Sequence, residues 1–260
     1  MPKKINDDNW KIWDEFNVYG DILYKRAIGK IEEMQSAKSI CKLLPSFYKK
    51  GMSLLDVGCG AGHYLRSLQL RLDKNIKYTG VDATKNYIKL AKKAFGSKAN
   101  FLTGDIFNLP FNDKAFDIVM CNNVILHLPP PPTKAISELI RVAKKYIVIR
   151  TVIGERNYII KEVRNFNEGA KLKVKDEDLI GKNGYPLSYN FFNMYTTEYL
   201  KGIINRIDKN LEVKIVSDNE WKSFNNRKIA GALATKVIDG RQVSGNLMLD
   251  WRYIIVKKKI

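Results

Sequence analysis

Apolar and polar positions between residues 50 and 152 switch repeatedly between two periods. Leu54, Leu55 and Val57 form a short apolar run, and Leu65, Leu68 and Leu72 follow it at helical spacing. The run predicts a buried strand and the spacing an amphipathic helix. Further strands are predicted at Lys77–Asp82, Asn100–Asp105, Lys114–Asn123 and Tyr146–Val152. Helices are predicted with Ile88, Ala91 and Phe95 on one buried face, and Ile136, Leu139, Ile140 and Ala143 on another. Thr84 and Thr133 stand where each could cap its helix. The strand from Tyr146 is apolar almost throughout, as for a strand covered on both faces.

Outside this block the pattern thins. Trp10, Trp13 and Phe16 predict a short helix within 5–20, either packed on the core or serving as a lid. Asp21–Leu44 reads as helical, with Ala27, Ile28, Ile31 and Met34 on one face and Ala37, Ile40, Cys41 and Leu44 continuing it. Pro45 suits its end. Four prolines at 129–132 predict a rigid connector. Residues 155–195 are basic and aromatic, longer than a simple connection needs. Thr196–Ile204 reads as a capped helix, Glu212–Val216 and Tyr253–Val256 as the last two strands, with a turn at Asp239-Gly240.

Strands alternating with helices imply an α/β fold with parallel pairing and right-handed crossovers. Ligands of such sheets sit at the carboxyl ends of the strands. There the chain places Gly58, Gly60 and Gly62, a turn whose backbone a ligand can approach closely. A dinucleotide fold would want its third glycine where His63 stands, and no Gly-Lys-Ser/Thr follows for a P-loop. Asp82 ends the second predicted strand, 20 residues after Gly62. At that spacing a carboxylate can accept from two ribose hydroxyls.

These residues resemble the class I S-adenosylmethionine (SAM)-dependent methyltransferases. Residues 55–62 match the first motif, L-D-V-G-C-G-x-G, and Gly104–Phe111 match G-D-x-x-x-L-P-F. Phe116-Asp117 matches the F-D of the fourth strand, and Val124–Leu128 is similar to V-L-x-H-L. The likeness covers roughly residues 50–154. It implies a doubly wound Rossmann-like methyltransferase sheet, mostly parallel with an antiparallel last strand. The expected organisation is an N-terminal helical lid (1–46), a SAM-binding core (47–154), a substrate-recognition insertion after the fifth strand (155–195) and a C-terminal part of the sheet (196–260). The implied cofactor is SAM. Its loop would be Asp56, Gly58, Cys59, Gly60 and Gly62, with Asp82 and Ala83 at the ribose, Asp105 and Ile106 at the adenine, and Asn122 beside the sulfonium. Asp117 is expected to be structural. His127 lies near the expected transfer point as a candidate general base, since histidine titrates near neutrality. The alternative for His127 is a helix-start residue satisfied by backbone.

The chain has 260 residues and a net charge of +18. The basic residues are spread along it, which favours a lysine-rich solvated surface over a polyanionic partner. Cys41, Cys59 and Cys121 form no C-x-x-C pair and read as buried apolar residues in a reducing, cytoplasmic setting. The first residues lack the apolar core of a secretory signal, and no apolar run reaches the ~18–20 residues of a membrane span. With His63 and His127 the only histidines, no metal is expected. The acceptor expected is a small molecule, a sugar or nucleotide-linked sugar as in surface-polysaccharide pathways, with phosphate compatible. Arg26, Tyr189, Asn190 and Asn193 are its candidate contacts. Arg26 could reach a carboxylate or stay solvated. A homodimer is left open. The competing functions are an RNA or tRNA methyltransferase, for which no N/D-P-P-Y/F follows the fourth strand, and a non-catalytic SAM-binding protein.

Overall fold

The computed structural model describes Trp13 and residues 17–163, 175–218, 236–238, 241–244 and 247–259. Its elements in chain order begin with α1 (Asn17–Ala27) and α2 (Gln35–Leu43). The alternating block follows as β1 (Ser53–Val57), α3 (His63–Arg71), β2 (Lys77–Asp82), α4 (Lys85–Phe95), β3 (Asn100–Thr103), β4 (Phe116–Asn122), α5 (Thr133–Val142) and β5 (Ala143–Ile153). Beyond it come β6 (Lys161–Val163), α6 (Asp176–Leu179), β7 (Tyr189–Phe191), α7 (Thr197–Ile207), β8 (Glu212–Ser217), β9 (Lys236–Ile238), β10 (Arg241–Ser244) and β11 (Leu247–Lys257).

The main sheet runs β3-β2-β1-β4-β5-β11, and β11 then pairs β8 along one half and β10 along the other. Pairing is parallel from β3 through β5, and β11 is antiparallel to β5. The chain order reverses direction at β1, which opens a crevice at the carboxyl ends of β1 and β4.

Period-two alternation assigns the two faces of this sheet. Leu54, Ile118, Met120, Val148 and Tyr253 pack on α2, α3 and α4, while Leu55, Val119, Cys121, Ile147 and Ile254 pack on α5 and α7. Both faces are covered, so β4 and β5 read as continuous apolar runs. Cys41, Cys59 and Cys121 are buried and free. Asp117 ties the opposite, amino end of the sheet together. Its carboxylate accepts from the Ser53 N–H at 3.0 Å and pairs with Lys145 at 2.9 Å.

Several local expectations change. The helix over Asp21–Leu44 is two helices, because the chain turns at Gly29, whose φ is +76°. Ala143 opens β5 and does not close α5. Neither Thr84 nor Thr133 caps through its side chain: the Thr84 N–H donates to Asp82 instead, and Pro132 is the cap residue of α5. Thr196 does cap α7, accepting from the Tyr199 N–H at 3.1 Å. The described part of 155–195 is an antiparallel β6–β7 ribbon returning to the end of β5 through a bridge between Ile153 and Tyr195. Trp10, Phe16 and the Asp239-Gly240 turn lie outside the described residues.

Candidate functional site

One cavity opens at the carboxyl ends of the central strands, with about 1040 Å³ of empty space including its open mouth. Its floor is the turn after β1. Gly58 and Gly60 take φ of +78° and +54°, in the left-handed region that glycine enters without strain. A side chain on Gly58 would collide with Val124, and a Cβ on Gly60 would come within 2.9 Å of Leu23. The turn is stitched to β2 by the Gly58 and Cys59 N–H groups, which donate to the Val81 carbonyl at 2.7 and 3.1 Å. Asp82 braces it further, accepting from the Gly60 N–H at 2.8 Å and the Thr84 N–H at 2.9 Å. These bonds fix the Asp82 carboxylate at the cavity wall.

Of the residues expected at the cofactor, Gly58, Gly60, Asp82, Ala83, Asp105, Ile106 and Asn122 line this cavity, together with His127. Asn122 is 4% exposed, and both atoms of its amide are buried without a hydrogen-bond partner. An unmet buried polar group costs about 1–3 kcal/mol, so a pair of them facing a cavity marks a ligand position. His63 adds a buried Nδ1 without a partner, and burial, then the Arg26 charge, pushes its pKa down to about 3. It is a neutral ring at the pH of cells. A close-approach backbone, two carboxylates for hydroxyl and amino donors, and an unmet amide together fit the polar groups of SAM.

Asp56, Cys59 and Gly62 stand behind the wall. Gly62 faces Phe95 and Phe101. Asp56 is 1% exposed and accepts from the Tyr78 hydroxyl at 2.6 Å. Burial pushes its carboxyl up to about 7, with the Tyr78 bond opposing and the Asp82 charge adding to the rise. The folded state therefore keeps this proton to higher pH than the unfolded chain. Its stabilising effect is complete below about pH 4 and is lost as pH rises toward 7. Asp56→Asn keeps an acceptor for Tyr78 and cannot ionise. Between pH 5 and 8 urea titration is expected to show the variant gaining roughly 2–3 kcal/mol relative to the parent; a gap independent of pH would refute this.

His127 ends a short 3-10 turn, Ile125–His127, that follows β4. Its Nδ1 lies 2.8 Å from the Phe191 carbonyl oxygen on β7. A carbonyl only accepts, so Nδ1 carries the proton and Nε2 is the basic nitrogen of the neutral ring. Trp13 meets the imidazole edge-on at 5.1 Å between centroids, and Phe192 does so at 5.9 Å.

The candidate acceptor contacts are not brought to the cavity. Asn193 is fully buried, its amide donating to the Leu128 carbonyl at 2.8 Å. Asn190 is buried and donates to Glu162 at 3.0 Å, and Tyr189 is buried with the Lys161 ammonium 4.3 Å from its ring centroid. They build the β6–β7 ribbon and the seat of His127. Arg26 does not line the cavity either; its Nε is buried without a partner, and its charge acts on His63, Tyr19 and Tyr64.

Several lining residues went unnamed as site residues in the sequence: Tyr19, Leu23, Met34, Phe107, Asn123 and Val124. Asn123 has a φ of +60°, unusual for a residue with a side chain. It is held by Arg150, whose carbonyl accepts the Asn123 N–H at 2.9 Å and whose guanidinium donates to the Asn123 side chain at 2.5 Å. Arg150 is 1% exposed, pairs with Asp218 at 2.6 Å and lies 4.0 Å from the centroid of the Trp251 ring. Ser39 on α2 also donates to Asp218. A non-glycine residue with positive φ after a strand is the only local trace of this network.

Among the described residues no helix is long and apolar enough to cross a membrane, and no three His, Cys, Asp or Glu side chains could hold a metal ion. A family described as "Methyltransferase domain" matches residues 48–207. An uncharacterized protein of Methanocaldococcus jannaschii is 30% identical over 186 residues, covering 69% of this chain and 75% of its own. The ubiquinone biosynthesis O-methyltransferase of Rickettsia prowazekii is 26% identical over 245 residues, covering 86% and 83%. Other curated relatives match over only 33% to 57% of their own length. Among solved structures, the magnesium protoporphyrin IX methyltransferase of Synechocystis PCC 6803 with bound S-adenosylhomocysteine superposes with a TM-score of 0.56 at 15% identity, over 97% of this chain and 100% of that one. With the domain match spanning more than half of the chain, this protein belongs to the SAM-dependent methyltransferases, and SAM is its cofactor.

Proposed function

We propose that this enzyme transfers a methyl group to a hydroxyl oxygen of a small, uncharged, ring-bearing molecule, with His127 as general base. The supporting observation is the apolar lining of the cavity, with Trp13 edge-on to His127. Trp13, Tyr19, Met34, Phe107, Val124 and Leu128 contribute to that lining, and no lysine or arginine lines the cavity among the described residues, in a chain of net charge +18. Flat apolar walls suit a planar ring. A phosphate-bearing acceptor would need a paired cation there. The sugar or nucleotide-linked sugar acceptor lacks that cation and also loses Tyr189 and Asn190, which are committed to the ribbon, and Asn193, which is committed to the Leu128 carbonyl. The name of the Rickettsia protein mentions ubiquinone, a compound that carries a quinone ring, which supports the same direction.

Bound SAM supplies a methyl group on a sulfonium, transferred in line to the acceptor oxygen. The chain's part is to hold the reactants about 3–3.5 Å apart and aligned. Asp82 takes the ribose hydroxyls, Asp105 the adenine amino group, and Asn122 the polar groups near the sulfonium. A hydroxyl is a weak nucleophile at neutral pH, and His127 Nε2 accepts its proton as the oxygen–carbon bond forms. Phe191 stabilises the imidazolium that results, because its carbonyl oxygen accepts the Nδ1–H bond.

The test is transfer of label from radiolabelled SAM to three acceptor sets: substituted phenols and quinols, nucleotide-linked sugars, and bulk tRNA. Label is expected in the first set. Label confined to nucleotide sugars, or salt-sensitive labelling of tRNA alone, would overturn the proposal.

A further inference from the structure

Residues 104–115 join β3 to β4 without a helix or strand of their own, while carrying Asp105 and Ile106 to the cavity. The sheet order requires this stretch to travel from the edge strand past β2 and β1. An irregular connection of that length holds one shape only if something outside it supplies hydrogen bonds. Here α5 supplies them, through two side chains one turn apart.

Arg141 donates to the Leu109 carbonyl at 3.0 Å and to the Phe111 carbonyl at 2.7 Å. It also pairs with Asp113 at 2.9 Å, and its own carbonyl accepts the Lys114 N–H at 2.9 Å. Glu138 accepts the Leu109 N–H at 2.8 Å and orients the guanidinium through bonds of 2.7 and 2.8 Å. Leu109 is thus gripped at both its N–H and its carbonyl. Upstream, two short turns carry that restraint to the cavity: the Asn108 N–H donates to the Asp105 carbonyl at 3.0 Å, and the Phe107 N–H to the Asp105 carboxylate at 2.9 Å. Leu109 and Ile106 are buried in the same core cluster, which seats the loop from below. Neither Glu138 nor Arg141 lines the cavity.

We propose that the Glu138–Arg141 pair is a positioning device for cofactor selectivity, setting the loop so that the Asp105 carboxylate meets the exocyclic amino group of adenine. This rests on the role given to Asp105 above. Adenine offers a donor at that edge. Hypoxanthine offers a carbonyl oxygen, which faces a carboxylate acceptor to acceptor. A site built to hydrogen-bond one group rejects its replacement strongly, and only while the partner is held in place.

The test compares S-adenosylhomocysteine with S-inosylhomocysteine by titration calorimetry on the full chain. The parent is expected to prefer the adenine compound by about 100-fold or more. Arg141→Met is expected to cut that preference at least ten-fold, with partial recovery in Arg141→Lys. Glu138→Gln keeps an oxygen for the Leu109 N–H and serves if Arg141→Met folds poorly; its preference is expected to fall as well. Faster amide exchange at Leu109 and Phe107 in the unliganded variants should accompany the change. A preference within two-fold of the parent in these variants overturns the proposal, even if their melting temperatures or overall affinities drop. Asp105→Ala separates the two levels. If it abolishes the preference while the α5 variants keep it, the positioning role alone fails. If it leaves the preference intact, Asp105 does not meet the base and both fail.

Discussion

Asp82→Ala is expected to weaken binding of S-adenosylhomocysteine by about 100-fold or more, read by titration calorimetry. Two separate losses contribute. The variant removes the acceptor proposed for the ribose hydroxyls. It also releases the Gly60 and Thr84 N–H groups, bonded at 2.8 and 2.9 Å, so the glycine turn at the cavity floor loses its brace. Each hydrogen bond to a charged group is worth about 1.5–3 kcal/mol, and two of them already account for two to four decades. Asp82→Asn keeps one carbonyl oxygen and should fall between, nearer ten-fold. Affinity within three-fold of the parent in Asp82→Ala would remove Asp82 from the cofactor site. Because the effect is on binding, it is measurable before any acceptor is known.

The second large effect is on turnover. His127→Asn is expected to lower kcat by about 10²–10⁴-fold, the usual span for a positioned general base. Binding of S-adenosylhomocysteine should change by less than two-fold. Asparagine separates the anchoring bond of this histidine from its proposed role as base. Its amide can still donate to the Phe191 carbonyl, replacing the 2.8 Å bond from Nδ1, but it offers no basic nitrogen at the Nε2 position. His127→Ala gives up both and should also loosen the β7 strand. If His127→Asn turns over within a few-fold of the parent while His127→Ala does not, the residue serves only as an anchor. The pH profile gives an independent check: the acid limb of kcat in the parent should be missing from the asparagine variant.

The two effects differ in where their residues stand in the fold. Asp82 is held by bonds to residues 22 positions before it and two after it, all within one strand–helix–strand unit and the turn that follows it. His127 is oriented across 64 positions by Phe191. That contrast separates what could be read from the chain from what could not.

The parallel strands, the glycine turn and the carboxylates at strand ends are local matters. A period of two or 3.6, a run of small residues and a fixed offset to an acid all survive without knowledge of the rest of the molecule, because each is decided within one supersecondary unit. On that basis the sequence alone determined the α/β class, the glycine turn and the candidacy of Asp82, while the candidacy of Asp105, Asn122 and His127 came from the resemblance to the methyltransferase motifs. Packing between distant segments decided the remainder. Only the tertiary structure sank Asp56 beneath the turn on Tyr78, spent Asn190 on Glu162 and Asn193 on the Leu128 carbonyl, and held Asn123 by an arginine 27 residues away. It also brought Trp13 against His127 and left a strongly basic chain with a cavity wall free of lysine and arginine among its described residues. A polar side chain near a site has the same sequence signature whether it faces a ligand or a buried carbonyl. Which of the two it meets depends on the close packing of elements far apart in the chain, and no local spacing carries that information.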